Sequence, residues 1–424
     1  MTRMRAGRLF SLVTVAMMAT VTALPTAEAR PGRPAAAPVN YHEWSGSAFH
    51  AGAFSGVVAV PGGLGLGRPA GTLAYEGKDY EYGQWTSPVY RHGFGATELI
   101  ASWNARTPDK TWLQVEAQGE TETGAETAWY VMGRWASGDT DIRRTSVDGQ
   151  DDADAEVSVD TLVMKPGVTL RSYRLRVSLY REVGSAASPV LGTVGAMTSA
   201  IPDRFAVPAS RPGKARGIEL PVPAYAQNLH KGHFPEYGGG GENWCSPTST
   251  EMVVEYWGRR PREEDMSWIP SGYVDRTVDY AARYTYDYSY EGTGNWPFNT
   301  AYAAGFGLHG HVTRLHSLNE LEDYIAHGIP VITSQSFRAD ELDGAGYGTA
   351  GHLMVVVGFT ADGDVITNDP ASNSDANVRT VYKRAQFETV WLRTKRYTAS
   401  GAVADGSGGV AYIITPGADQ ASSN

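Results

Sequence analysis

One cysteine, Cys245, is all that the 424 residues contain. That excludes an internal disulfide, on which small exported folds often depend, although a chain of this length can bury a core without one. Basic charge is also scarce: 36 Lys and Arg stand against 46 Asp and Glu, a formal charge of −10. Phosphate binding needs a basic footprint, so the balance argues against nucleic acid as a partner. Beyond Leu24 there is no long apolar run, which argues against stable membrane insertion of the rest of the chain. No twin-arginine pair precedes the first apolar run, and no cysteine lies near that run to carry a lipid. Residues 1–29 read as an export signal. Arg3, Arg5 and Arg8 precede the uncharged Leu9–Leu24 stretch, and Ala27-Glu28-Ala29 has the small-x-small pattern of a cleavage site. Removing them takes three arginines and Glu28, leaving −12. The expectation is a secreted, extracellular protein.

Residues 30–40 are rich in Pro, Ala and Arg and read as a disordered linker. From 41 to 200 no long amphipathic helix is evident. "SYRLRVSLYR" (172–181) alternates, with Tyr173, Leu175, Val177 and Leu179 on one face, and "ELIASW", "TWLQVEA" and "AWYVMGRW" are further short runs between turn formers. The pattern predicts an all-β sandwich. Residues 201–217, rich in Pro, Gly and basic side chains, read as a linker. Residues 218–416 mix the two periodicities. "SPTSTEMVVEYWG" predicts a helix with Ser246 as N-cap and Pro247 at its first position. "SLNELEDYIAHG" has Ser317 and Glu320 spaced as a capping box. "HLMVVVGF" and "VITND" read as strands of a hairpin turning at Ala361–Asp364, and "GGVAYIITP" as a last strand before a loose tail at 417–424. Helices followed by a predominantly antiparallel sheet make an α+β domain.

Cys245 lies at the start of the first of these helices. Backbone N–H groups and the helix dipole favour a thiolate there, which a nucleophile needs and a structural cysteine does not. Of the ten histidines, His352 stands out: it opens an apolar strand after the Gly-rich "GAGYGTAG". An imidazole base needs a third group on its other nitrogen. Asp369 closes the next strand of the hairpin, so the two fall at the same end of the sheet.

"WCSPTSTEMV", "GIPVITS", "GHLMVVVGF" and "VITNDPAS", in that order, resemble the papain-like cysteine peptidases of the bacteriocin-processing, or double-glycine leader peptidase, type, over about residues 218–416. The resemblance implies Cys245 as nucleophile, His352 as general base and then acid, Asp369 as its orienter, and an upstream glutamine as oxyanion donor. Gln227 is the nearby upstream glutamine of this domain, and Asn243 is a second candidate donor. Two positions differ from the family's common pattern. Ser246 stands where glycine is usual, and Gln227 precedes Cys245 by 18 residues, so that 229–244 read as an insertion hinged at its glycine run. The implied chemistry is peptide hydrolysis through a thioester, with no cofactor or metal required and a peptide or protein substrate, cell-wall peptides included. An amidase or acyltransferase on cell-wall peptides is the first alternative. A ligand-binding protein with an inactive papain-like domain is the second. Leader peptidases commonly face the cytoplasm fused to a transporter, so double-glycine specificity is not implied for an exported chain.

Three further features read as structural. The carboxylates of "DGQDDADAEVSVD" (148–160) do not follow a calcium-loop spacing and read as a solvated loop. Tyr284, Tyr286, Tyr288 and Tyr290 alternate, predicting a strand with a tyrosine face rather than, with Trp296, a substrate groove. Trp103, Trp112, Trp129 and Trp135 read as sandwich core rather than a sugar platform.

Overall fold

The computed structural model describes residues 38–417; the export signal and most of the two terminal segments anticipated from sequence lie outside them. From Val39 to Ser199 the described chain forms strands and one short 3-10 turn, Gly46–Ala51, with no α-helix. The strands make two antiparallel sheets, of seven and six strands. Strand Leu170–Glu182 runs through the middle of the six-stranded sheet, and its Tyr173, Leu175, Val177 and Leu179 are all buried, as the alternation requires. Strand Val190–Ser199 holds the middle of the seven-stranded sheet, paired with Glu98–Arg106 and with Val39–Ser45. The two sheets meet through aromatic edges: Trp44 of one packs against Trp85 and Tyr173 of the other, at ring separations of 5.9 and 6.2 Å. Trp85 also donates its indole N–H to Phe49 O at 2.9 Å, so its burial leaves no polar atom unpaired.

Residues 201–217 are irregular but laced to the second half. Arg204 donates to Leu392 O, Ser210 N to Glu388, and Gly213 N to Glu322. Five helices follow: α1 (Cys245–Tyr256), α2 (Arg276–Thr285), α3 (Trp296–Ala304), α4 (Leu318–Ala326) and α5 (Arg384–Leu392). They surround a six-stranded sheet whose spatial order is 308–314, 410–416, 331–337, 349–359, 365–368 and 379–382. Every neighbouring pair is antiparallel. The last strand therefore sits inside the sheet. The Ser317 hydroxyl caps α4 by accepting from Glu320 N, and Gly328 closes it at φ +77°. The hairpin joining 349–359 to 365–368 turns through Gly363 at φ +91°.

The tyrosine run corrects the sequence reading. Tyr284 belongs to α2, Tyr286 ends that helix, and residues 287–292 form a tight turn closed by Asp287 and Gly292. A period of two arises here without a strand because the rings face different neighbours. Trp103, Trp112 and Trp135 are core, while Trp129 is only half-buried, beneath Arg174 and Arg176. The acidic run is no free loop: Asp152 accepts from Tyr130 OH and from Asp154 N, and Lys165 bridges Asp151 and Glu156.

The all-β half is bolted to the other. Asn104 and Gly310 exchange two hydrogen bonds of 2.8 Å, and Val312 N donates to Ser102 Oγ. The fully buried Arg144 guanidinium donates across the junction to Arg283 O and Tyr286 O, and Asp139 pairs with Arg283. Trp103 and Trp135 pack on Phe298 of α3.

Candidate active site

Cys245 is the first residue of α1, two positions deeper into the helix than the sequence suggests. Trp244 occupies the N-cap, and the first full-turn bond runs from Thr248 N to Trp244 O at 3.0 Å. Pro247 is then the third helical residue, tolerated because none of the first N–H groups has a partner within the helix. Ser246 does not cap; its buried hydroxyl meets Tyr412 OH at 2.9 Å and ties α1 to the last strand. The half-buried Cys245 thiol lines one cleft with His352 and Leu353. Burial would raise its pKa, but the imidazole and the Leu353 and Ser246 N–H groups together hold it below the ordinary thiol value.

His352 is on strand Thr349–Phe359, paired with Gln335, and almost fully buried. Its Nε2 meets Asp369 Oδ1 at 2.8 Å, which leaves Nδ1 for the thiol. Burial alone would lower the imidazole pKa; the Asp369 charge, its hydrogen bond and the Cys245 sulfur outweigh it and push the ring up to about 10. Asp369 follows strand Val365–Asn368, so the hairpin delivers both groups to one end of the sheet. Its carboxylate is held by Ala371 N at 3.0 Å on Oδ1, and by Tyr347 OH at 2.8 Å and Tyr382 OH at 2.6 Å on Oδ2. These donors and His352 keep it below the ordinary carboxylate pKa despite its burial. The sequence reading missed both tyrosines. Tyr347 sits in the Gly-rich stretch already singled out, whereas Tyr382 stands on a separate strand with no local signal.

Gln227 lines the same cleft as Cys245 and His352. Its N–H donates to Pro370 O at 2.9 Å, beside Asp369, and its Nε2 donates to Glu242 O at 2.7 Å. One amide hydrogen remains free for a ligand. Asn243 also lines the cleft, but its exposed amide turns back to Gly238 O. Residues 229–244 do not loop out. His230 and His233 each bring Nδ1 to 2.9 Å from one oxygen of the buried Asp279, pinning the segment to α2. Among the described residues these three are the group near enough to share a metal ion, and both Nδ1 atoms are already engaged by Asp279. The return to Cys245 passes through Gly238, Gly239 and Gly240, all at φ between +75° and +112°, where side-chain-bearing residues are strained. Gly241 follows so close to the Gln227 carbonyl that an added Cβ would lie 2.4 Å from it.

The chain matches the Peptidase C39 N-terminal domain over residues 40–199 and the Peptidase C39-like family over residues 219–399. A crystal structure described as that of a C39-like peptidase from Bacillus anthracis is similar at 15% identity and a TM-score of 0.28, covering 47% of this chain and 96% of that one. No curated protein matches. On the two consecutive family matches, the chain belongs to the C39-like peptidase family, a family of cysteine peptidases.

Proposed function

We propose that the chain is an exported, papain-like thiol peptidase whose nucleophile, base and orienter are Cys245, His352 and Asp369. One observation carries this reading: one cleft is lined by a thiol at a helix start and by an imidazole whose Nε2 lies 2.8 Å from a buried carboxylate. The packing of α1 against an antiparallel sheet supports the papain-like architecture. In the reaction, the Cys245 thiolate adds to the scissile carbonyl carbon. The oxyanion is met by the Cys245 N–H and the free Gln227 amide hydrogen, a donor of this kind contributing about 3 kcal/mol or more. The C–N bond breaks as His352 gives its proton to the leaving amine. Water then adds to the thioester, losing its proton to His352, and expulsion of the thiolate releases the acid. Asp369 keeps the imidazole in the tautomer and orientation that both proton transfers need.

Labelling by iodoacetamide tests the reading. Fast alkylation of Cys245 that disappears in His352→Ala supports it; alkylation at the rate of free cysteine overturns it. Peptide and cell-wall-fragment libraries then separate a peptidase from an amidase or acyltransferase acting through the same site.

A further inference from the structure

The cleft above Cys245 encloses about 1090 Å³ and is not built by the C-terminal half alone. Ser158, Val159, Asp160 and Thr161 of the all-β half form part of its wall, as does the Gly-rich stretch that leads into His352. They are the tip of a hairpin in which Ser158 pairs with Thr161, leaving Val159 and Asp160 as the turn. Val159 adopts φ +58°, a costly conformation for a β-branched residue. Such strain persists where the surroundings fix it, and functional sites are where it gathers. The hairpin is fixed: Asp160 Oδ2 accepts from Trp296 N at 2.7 Å, at the start of α3, and Trp296 is itself a cleft residue.

Apart from His352, the charged side chains of this cleft are all acidic. Asp160, Glu242, Glu291 and Asp405 line it, and no Lys or Arg does so among the described residues. Glu242 and Asp405 have lysines nearby, Lys231 and Lys395. Asp160 has only neutral partners, Trp296 N and the Thr161 hydroxyl, and no ion pair reaches Glu291 among the described residues. Asp160 is 5% exposed, and a carboxylate buried without a cation is costly. Burial, with Asp287 adding to it, pushes its pKa up to about 7 even though it accepts two hydrogen bonds. A cationic group entering the cleft would relieve that cost. Nearby, the buried Gln227 Oε1 has no partner and offers the cleft one more acceptor.

We infer that the all-β half is part of the substrate site and that its Asp160, together with Glu291, selects a Lys or Arg side chain close to the scissile bond. This rests on the peptidase reading above and adds the class of substrate. The test compares alkylation of Cys245 by two chloromethyl ketones that differ in carrying a lysyl or a glutamyl side chain. Mass spectrometry reads the rates, each normalised to iodoacetamide, at 0.5 M salt where long-range steering is screened. The lysyl reagent should react at least tenfold faster. Asp160→Asn and Glu291→Gln should each lower that ratio severalfold; Glu291 is exposed, so its variant keeps the test valid if Asp160→Asn folds poorly. Equal rates for the two reagents, or a ratio unchanged by Glu291→Gln, would overturn the inference. Rapid iodoacetamide labelling without charge preference sinks this inference alone, whereas free-cysteine reactivity sinks the peptidase reading with it.

Discussion

Tyr347 and Tyr382, 35 residues apart, donate their hydroxyls to the same oxygen, Asp369 Oδ2. The other oxygen accepts from His352 and Ala371 N. Four donors thus fix a buried carboxylate in one orientation, and Tyr347 also presents its ring to the imidazole at 5.5 Å. The aim of His352 is set by this clamp as much as by its own strand.

Tyr382→Phe removes one of the four bonds and leaves the ring. The expected cost is about 1–2 kcal/mol in stability. A several-fold fall in kcat with little change in KM should accompany it, because the clamp positions His352 and does not touch substrate. Combining it with Tyr347→Phe should cost more than the two single losses together, since the partners share one oxygen. Thermal melting and steady-state kinetics of the four proteins check both points.

Turnover should form a broad plateau against pH. Its acid limb falls at the lowered pKa of Cys245, and its alkaline limb near 10, where His352 loses the proton it gives to the leaving amine. Stability has matching signs. The raised His352 pKa contributes fully below its ordinary 6.5 and is lost as pH rises through about 10. The lowered Cys245 pKa contributes above its ordinary 9.0 and is lost as pH falls through the folded value. Above both 6.5 and the folded Cys245 value and below 9 the two slopes oppose each other, and above 9 only the His352 slope remains, so urea midpoints should fall from pH 9 to about 10. A narrow optimum near pH 6.5 would contradict the pairing.

Gly241→Ala should impair catalysis more than folding. The added methyl meets the Gln227 carbonyl at 2.4 Å and the His230 carbonyl carbon at 2.5 Å, so the segment carrying Gln227 has to shift. Direct removal in Gln227→Ala should lower kcat about 10²–10³-fold if the amide meets the oxyanion. An Asn243→Ala variant, whose amide faces away, should stay within a few-fold of the parent.

Arg144 tests the joint between the halves. Its guanidinium is fully buried and donates to carbonyls on both sides. Arg144→Met should destabilise by about 2–4 kcal/mol through the carbonyls left unpaired. Arg144→Lys should not rescue, since an ammonium lacks the planar fork. Denaturant titrations followed by tryptophan fluorescence measure both.

What the sequence made legible was local. Ser317 and Glu320 mark a helix start, Gly363 a hairpin, and Tyr173 to Leu179 a buried strand face, because each signal lies within one element. Cys245 and His352 stand out for similar reasons, being a helix start and a strand after glycines. The tyrosines at 284–290 misled because alternation was produced by a helix end and a turn rather than by a pleat. Tyr382, Asp160 and the His230–Asp279–His233 tie were invisible: each acts on a partner far along the chain, and no local pattern encodes the meeting.

The strand Val410–Pro416 lies between 308–314 and 331–337, and its Tyr412 holds Ser246 beside Cys245. During synthesis, therefore, two flanking strands stay unpaired on one edge and the thiol's helix lacks its anchor until residue 416 has emerged. A nascent or truncated chain that stops earlier carries the thiol without the completed sheet, so full hydrolytic competence would come last in the folding order.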